Sequence, residues 1–472
     1  MMTAELIRFA ALCGLALASP VAGAADLPPI KTVSHVHSAY SGRDAPDLRA
    51  TLEMAHRRGI EAVILADDAI ASFKYGLWPL QDLLRLNITR NSVLKVGPDL
   101  YLEHIAALRA SFPDLIIIPG VEAAAFYFWS GDPLRGLTIN DWNRHLSVAG
   151  MERAQDYEDL PVLGNRRRDV FQPRALWPLL LLILAGMLLL ARRRRAAVLP
   201  ALVGALFFAN NFPFKQPPFD PYDSTAGWKP YQALALYAQE KGALCFWNHP
   251  EAPNWLTMRK LGWHVAARTA PYPECLHTVP QTDGFAALLE GDRAMTKPGR
   301  EWDRALLDYV QGRRTDPSWG FGELDYVGEG RGPGMGSVYM DVHAAARTAP
   351  ALLRALKAGR FEAIAAEGSR AVSLQEWRIV SQNSSAASGE TLRNAVQPSV
   401  RIALTPKGAP GLPATVTLIR NGLVIFSASV DLPFTRSITD DPGGDKRLFY
   451  RLDVRFGANG ALLSNPIFVF ND

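Results

Sequence analysis

Cysteine is nearly missing from this chain: Cys13, Cys245 and Cys275 are the three among 472 residues. So few cannot staple a disulfide scaffold or build a Cys-rich metal cluster. Cys13 lies in a leader and is expected to leave with it. Cys245 and Cys275 could pair in an oxidising compartment or remain two buried thiols, and the sequence leaves both readings open. Charge of one sign is also scarce. Fifty Lys and Arg face 46 Asp and Glu, a net charge of +4. That is too slight and scattered for a nucleic-acid partner. Much of the excess sits in Arg166–Arg168 and Arg192–Arg195, either side of an apolar run, which points to a membrane instead.

Uncharged runs are where the chain stands out. "MMTAELIRFAALCGLALASPVAGAAD" opens it. Arg8, the apolar Phe9–Ala18 and the small-residue "AGA" ending at Ala24 read as a signal peptide over 1–24. An uncleaved anchor is the alternative, and either one exports the chain beyond residue 24. A second run, "LWPLLLLILAGMLLLA" (176–191), is followed by "RRRR" and then "AAVLPALVGALFFANNF" (196–212). Together they predict a transmembrane helical hairpin over 175–212. Positive charge favours the cytoplasmic side, so both outer ends are expected on the exported side. The expected location is the inner membrane, with periplasmic or otherwise extracytoplasmic soluble domains.

Outside that hairpin, strand-like and helix-like stretches alternate. Candidate strands are "KTVSHVH" (31–37), "EAVILAD" (61–67), "DLIIIPGVE" (114–122), "HLSVAG" (145–150), "ALCFWNH" (243–249) and "DGFAALLE" (283–290). Helical patterns fall at 46–59, at 97–112 and at 349–361. The second should carry Leu100, Ile105, Leu108 and Phe112 on one face. This alternation predicts a parallel α/β fold, in two parts: 25–170 and 213–384. From about 385 the texture becomes short β runs with an Asn421–Gly422 hairpin signal, so 385–472 reads as a β-sandwich.

Ligand-type residues recur where these apolar runs end. His35 and His37 are one residue apart, and i and i+2 share a face in a strand. Glu122 ends the third strand, His145 begins the fourth and His249 ends the fifth. Asp67 and Asp68 end the second, and Asp325 lies in "GFGELDYVG". α/β barrels gather such residues on one rim. Glu323 and Glu329 lie close enough to serve as hydrogen-bonding partners or substitute ligands. "AAFYFWSGD" (124–132) either lines a pocket or packs under a loop. Trp247 is read as core, and His56 and His104 as helix-surface residues.

Over about 31–380, hairpin excepted, the order of these motifs resembles the polymerase-and-histidinol-phosphatase (PHP) superfamily. "HVHSAYS" matches its opening HxHSxxS, "IIIPGVE" its GxE and "WNHP" its A-H-P. "GIEAVILADDA" stands where the family has T-D-H, and "GELDYV" where it has D-x-H. The resemblance implies a distorted (β/α)7 TIM-like barrel, interrupted here by the hairpin, and a metal-dependent phosphoesterase. It implies one metal on His35, His37, Glu122 and Asp325 and a second on Glu122, His145 and His249, with Glu122 bridging. Imidazole and carboxylate suit Zn, Mn or Fe. Where the family builds a third metal site, this chain has Gly42–Arg43, Asp68 and Val327. Arg43 could then grip substrate phosphate in place of the missing cation. The expected substrate is a phosphate ester of unspecified identity. The competing expectation, favoured by Asp68 and Val327, is a barrel that binds but no longer turns over.

Overall fold

The computed structural model describes residues 28–252, 259–262, 265–288, 294–441 and 443–471. The expected signal peptide and Cys13 lie outside the described residues. The fold is mixed α/β with a β-rich C-terminal part.

Seven strands frame the first part. They are β1 (Ile30–Val36), β2 (Ala62–Leu65, continued by Asp67–Asp68), β3 (Ile116–Ile118, continued by Gly120–Ala124), β4 (His145–Ala149), β5 (Leu244–Trp247), β6 (Gly284–Leu288) and β7 (Trp319–Gly322). All six sequence-predicted strands are among them. β1, β2 and β3 run parallel, as do β5, β6 and β7. Just past β7, Tyr326 N donates to His35 O at 3.0 Å and His37 N donates to Tyr326 O at 2.9 Å. The segment just beyond the last strand of the series thus hydrogen-bonds back to the end of the first.

The expected parallel order fails at one strand. β4 is antiparallel to both neighbours, with Ser147 opposite Glu122 and Leu146 opposite Trp247. The cause lies between β3 and β4. A parallel return needs a crossover, usually a helix, but this segment instead forms the antiparallel pair Phe128–Asp132 and Gly136–Asn140. The reversal matters for position. It brings the start of β4, His145, to the same end as the finish of β3 and β5.

Helices cover the strands by burying one stripe. Leu48–Arg57 is capped by Asp47, whose side chain accepts from Ala50 N at 2.9 Å, a contact worth about 1 kcal/mol. In Pro98–Ser111 the buried face is Pro98, Tyr101, Ile105 and Leu108. Leu100, expected there, is exposed. Tyr101 takes its place because its ring packs inward while its hydroxyl donates to Gly120 O at 2.9 Å. Gly120 itself has to be glycine: a Cβ would lie 2.3 Å from Leu65 O, so any side chain would push β3 away from β2. Cys245 and Cys275 are both buried and unbridged.

Two apolar helices, Pro178–Leu190 and Arg194–Asn210, pack against each other through Gly204, where an added Cβ would lie 2.9 Å from Leu182 Cδ2. Their outer faces leave Leu180, Ile183, Met187, Leu199 and Leu202 exposed. Pro173–Leu190, 18 residues with mean hydropathy 2.0, is long and apolar enough to cross a membrane. Of the two helices expected to do so, it is the one that meets that test. The second has 17 residues and carries Pro200 inside it.

The β-rich part begins earlier than the texture change at 385, because Ala371–Ser381 already pairs with Ser399–Lys407. The expected turn at Asn421–Gly422 is present, with φ of 49° and 82°. This part is fused to the first. β1 pairs with β8 (Val338–Val342), β8 with β9 (Phe361–Ala365), and β9 with Gly460–Ser464. Across the junction, Arg451 Nη2 donates to Asp303 Oδ2 at 2.8 Å and to Thr296 O at 2.9 Å, and its guanidinium lies 4.8 Å from the Trp302 ring. Arg451 and Asp303 are fully buried. Breaking such a pair strands a buried charge. Arg451→Met should therefore destabilise the protein by about 3–5 kcal/mol in denaturant unfolding. A loss under about 1 kcal/mol would show that the junction does not depend on this pair.

Candidate metal centre

The site is assembled from strand ends. Glu122 comes from β3, His145 from the start of β4, and His249 from just beyond β5. His35 lies in β1, His37 follows it, and Asp325 follows β7. The two neighbouring histidines do not meet through simple strand alternation. His35 has φ of +59°, and the pairing of β1 with β2 slips between Val33 and Val36. This kink brings His35 Nε2 to 3.0 Å from His37 Nε2. His249 (φ +32°) and Asp325 (φ +46°) are also left-handed. Non-glycine residues rarely adopt that conformation, and when they do they tend to cluster at functional sites.

Glu122 is the meeting point. Its Oε1 lies 3.1 Å from His35 Nε2, 2.6 Å from His145 Nδ1 and 3.1 Å from His249 Nε2. Its Oε2 accepts from Arg43 Nη2 and lies 3.7 Å from His37 Nε2. Asp325 Oδ1 lies 3.2 Å from His37 Nε2 and 3.5 Å from His35 Nε2. The expected residues His35, His37, Glu122, His145, His249 and Asp325 therefore converge. Among the described residues, four groups of donor atoms are spaced closely enough to hold a metal ion: His35–His37–Asp325, Glu122–His145–His249, His35–His249–Glu323 and His37–Asp68–Glu122.

The donors fit such an ion chemically. Around a tetrahedral zinc with nitrogens at 2.0–2.1 Å, neighbouring donor atoms stand about 3.3 Å apart. His35 Nε2 lies 3.0, 3.1 and 3.5 Å from His37 Nε2, Glu122 Oε1 and Asp325 Oδ1, and His37 Nε2 lies 3.2 Å from Asp325 Oδ1, all near that value. The ring nitrogens are also oriented for ligation. His35 Nδ1 is hydrogen-bonded to Glu323 Oε1, leaving Nε2 to face the cluster. His37 Nδ1 lies 2.8 Å from Ser41 Oγ, which donates to Asp67 Oδ1 at 2.7 Å. Ser41 thus accepts the Nδ1 proton, and His37 Nε2 is left as the lone pair. Partners of this kind fix the tautomer of ligating histidines. Both serines of "HSAYS" hold Asp67, since Ser38 Oγ donates to its Oδ2 at 2.8 Å.

The electrostatics arise from the packing. Burial alone would raise the pKa of Glu122, but Arg43, His145 and His35 hold it well below the usual carboxylate range. Asp325 behaves likewise, with Arg43 and His35 outweighing burial. Burial would lower His35, yet Glu122, Glu323 and Asp325 raise it well above the ordinary imidazole value. His249 is lowered, chiefly by burial. Burial raises Asp67 against the pull of His37 and the two serines.

Arg43 is bonded to Glu122, with Nη1 3.1 Å from Asp325 Oδ1 and Nε 3.7 Å from Asp68 Oδ1. Val327 and Asp68 line the adjoining cavity of about 550 Å³, with Arg43, His145 and Asp325. Glu329 is elsewhere, accepting from Met335 N. Of "AAFYFWSGD", Trp129 lines the cavity while Phe126 is core. Trp247 is buried as expected. Sequence reasoning left the role of Glu323 open. It binds His35 and accepts from His249 N at 2.8 Å, joining two ligand-type residues.

No family model matches the chain, and no curated protein matches it. Among solved structures, the chain is similar to an engineered protein at 13% identity and a TM-score of 0.15, over 21% of this chain and 20% of that one. So low a score carries no argument about fold or function.

Glu323→Ala should leave His35, His37, Glu122, His145, His249 and Asp325 in place but remove the group that fixes His35. Metal affinity in a chelator competition should fall about 10–100-fold. Unchanged affinity would show that His35 needs no such partner.

Proposed function

We propose that the chain is a membrane-anchored, metal-dependent phosphoesterase of PHP type acting on the exported side of the inner membrane. The observation carrying this reading is Glu122 Oε1, within 3.1 Å of ring nitrogens from His35, His145 and His249. One carboxylate shared by two donor sets is what a pair of bridged cations requires. The return of β7 to β1 supports a distorted seven-stranded barrel, with β4 reversed.

In this reading His35, His37, Glu122 and Asp325 hold one divalent ion, and Glu122, His145 and His249 the other, as zinc, manganese or iron. Two such ions supply charge neutralisation and a water of lowered pKa. Water provides the incoming oxygen, the bond from phosphorus to the ester oxygen breaks, and the alcohol leaves with a proton. Arg43 binds the phosphoryl oxygens from the side where Asp68 and Val327 leave room. Its guanidinium suits bidentate phosphate recognition. Glu323 and the Ser41–Asp67 pair keep the imidazoles oriented.

A second reading rests on Arg43 as well. Its guanidinium already pairs with Glu122 and Asp325, so a protein that binds ligands without turnover would keep the same contacts. Metal content combined with hydrolysis of p-nitrophenyl phosphate separates the two. Two ions with turnover supports the esterase; metal-free, inactive protein supports the binding module. Among variants, Glu122→Gln should lower occupancy of both ions, while His249→Ala should retain about one equivalent. Both should lose hydrolysis by at least about 100-fold, the lower limit of what a single general acid–base group contributes. If His249→Ala lost both ions, or Glu122→Gln kept both and stayed active, the shared-carboxylate assignment would fail.

The membrane reading has its own test. Site residues flank the two apolar helices on both sides, so residues before and after them must lie on one face of the membrane. Cys245 and Cys275 are buried, which leaves introduced cysteines to report. Gln155→Cys and Ser224→Cys should label from the exported side and Arg193→Cys from the cytoplasm. Opposite labelling of the first two would rule out a single site built from both halves.

A further inference from the structure

The cavity beside the metal centre is lined by groups of two kinds. Arg43, Asp68, His145 and Asp325 belong to the metal centre or adjoin it, and Arg90 and Arg268 line the cavity as well. The apolar part of its wall comes from two hairpins the sequence did not predict. In Ser72–Gly76 and Arg85–Thr89, Phe73 is opposite Ile88 and Tyr75 opposite Leu86. Residues opposite one another in an antiparallel pair share a face, so these four form one apolar face, and all four line the cavity. The second hairpin adds Trp129, Ile139 and Leu137, with Trp129 packed edge-on against Tyr75 at 5.1 Å. Leu86 is 73% exposed and Ile88 53% exposed. Such large apolar side chains clustered in a cavity mark a ligand surface.

The same hairpin is tied to the apolar helices. Its tip donates from Asp82 N and Leu83 N to Asn210 Oδ1 at 3.0 and 3.2 Å, and Asn210 ends the second helix. The tip also exposes Trp78 (83%), Leu77 and Leu84. Tryptophan and leucine at that place suit the boundary between lipid and water. An apolar path therefore runs from the helix ends, along Leu86 and Ile88, to the arginines and carboxylates of the metal centre. Among the described residues, no carboxylate lies within ion-pair distance of Arg268 or Arg90, which also line the cavity. Positive charge is thus available in the cavity.

We infer that the ligand of this site is an amphiphile, a phosphate monoester of a long apolar chain reached from the membrane, whose tail lies on the Phe73–Ile88 and Tyr75–Leu86 face and whose phosphate meets Arg43 and Arg268. This rests on the phosphoesterase and membrane readings for the position of the phosphate and the source of the chain. The tail face itself is a matter of side-chain packing.

The test uses full-length protein in phosphatidylcholine nanodiscs and a hexadecyl phosphate carrying a mid-chain diazirine. Photolysis and peptide mapping should locate adducts in residues 72–89 and 128–140. The same probe as hexadecanol should label mainly residues 178–210. Leu86→Asp combined with Ile88→Asp changes two exposed side chains, so the fold is retained, and should lower labelling of 128–140 at least fivefold. Butyl phosphate should compete at least 100-fold less well than unlabelled hexadecyl phosphate. Identical adducts for the phosphate and the alcohol, or equal competition by butyl phosphate, would overturn the inference. Hydrolysis is read separately with p-nitrophenyl phosphate. Groove labelling without hydrolysis would keep the amphiphile site and defeat the esterase; hydrolysis without groove labelling would do the reverse.

Discussion

A buried carboxylate is tolerated in a protein core only where positive or hydrogen-bonding groups compensate it. Glu122 is such a group, and much of the molecule serves to surround it. Gly120 lets β3 approach β2, which fixes where Glu122 emerges. The reversed β4 brings His145 alongside. The left-handed turns at His35 and His249 swing two further imidazoles inward, and Arg43 closes the remaining side. Remove the charge at the centre and these strained or buried groups lose their reason to converge. The Asp303–Arg451 pair, far from the site, obeys the same rule: it is a buried charge pair, with its remaining donor and acceptor capacity partly met by Thr296 O and Gly299 N.

Much of this was legible in the sequence because strands leave a strong imprint. The six runs read as strands became strands, and His35, His37, Asp68, Glu122, His145 and His249 near their ends reached the same space. Other features were hidden for physical reasons. The direction of β4 depends on the connection before it, and "FYFWSGD" carries no helix period to announce or exclude a crossover. His35 and His37 meet through a kink rather than through alternation, so the right pairing was expected from an incomplete geometry. Tyr101 was overlooked beside Leu100 because a tyrosine counts as polar until its hydroxyl finds Gly120 O. The hairpin at 72–89 had a signal that could have been used: Phe73 and Tyr75, and Leu86 and Ile88, alternate with polar neighbours at period two. The Pro79-containing tip and the length of the loop obscured it.

Arg43 sets much of the chemistry beside Glu122. A guanidinium pairing with Glu122, Asp325 and Asp68 puts a fixed positive charge where the resemblance to PHP proteins leads one to expect a third ion. Such a charge needs no loading and is already hydrogen-bonded, so it favours an anionic group arriving beside it. It also competes for the oxygens of Glu122. The balance between these effects decides whether the centre is a working hydrolase or a binding site. The apolar hairpin face next to it bears on which molecules arrive, a separate matter from what happens to them.

The central claim is that Glu122 joins two cations. X-ray absorption at the edge of the bound metal in the purified full-length protein tests it most directly. Two ions sharing a carboxylate should give a first shell of nitrogen and oxygen only, and a metal–metal scattering path at about 3.5–4 Å. A metal-saturated protein with no such path, or with sulfur in its first shell, would contradict the account.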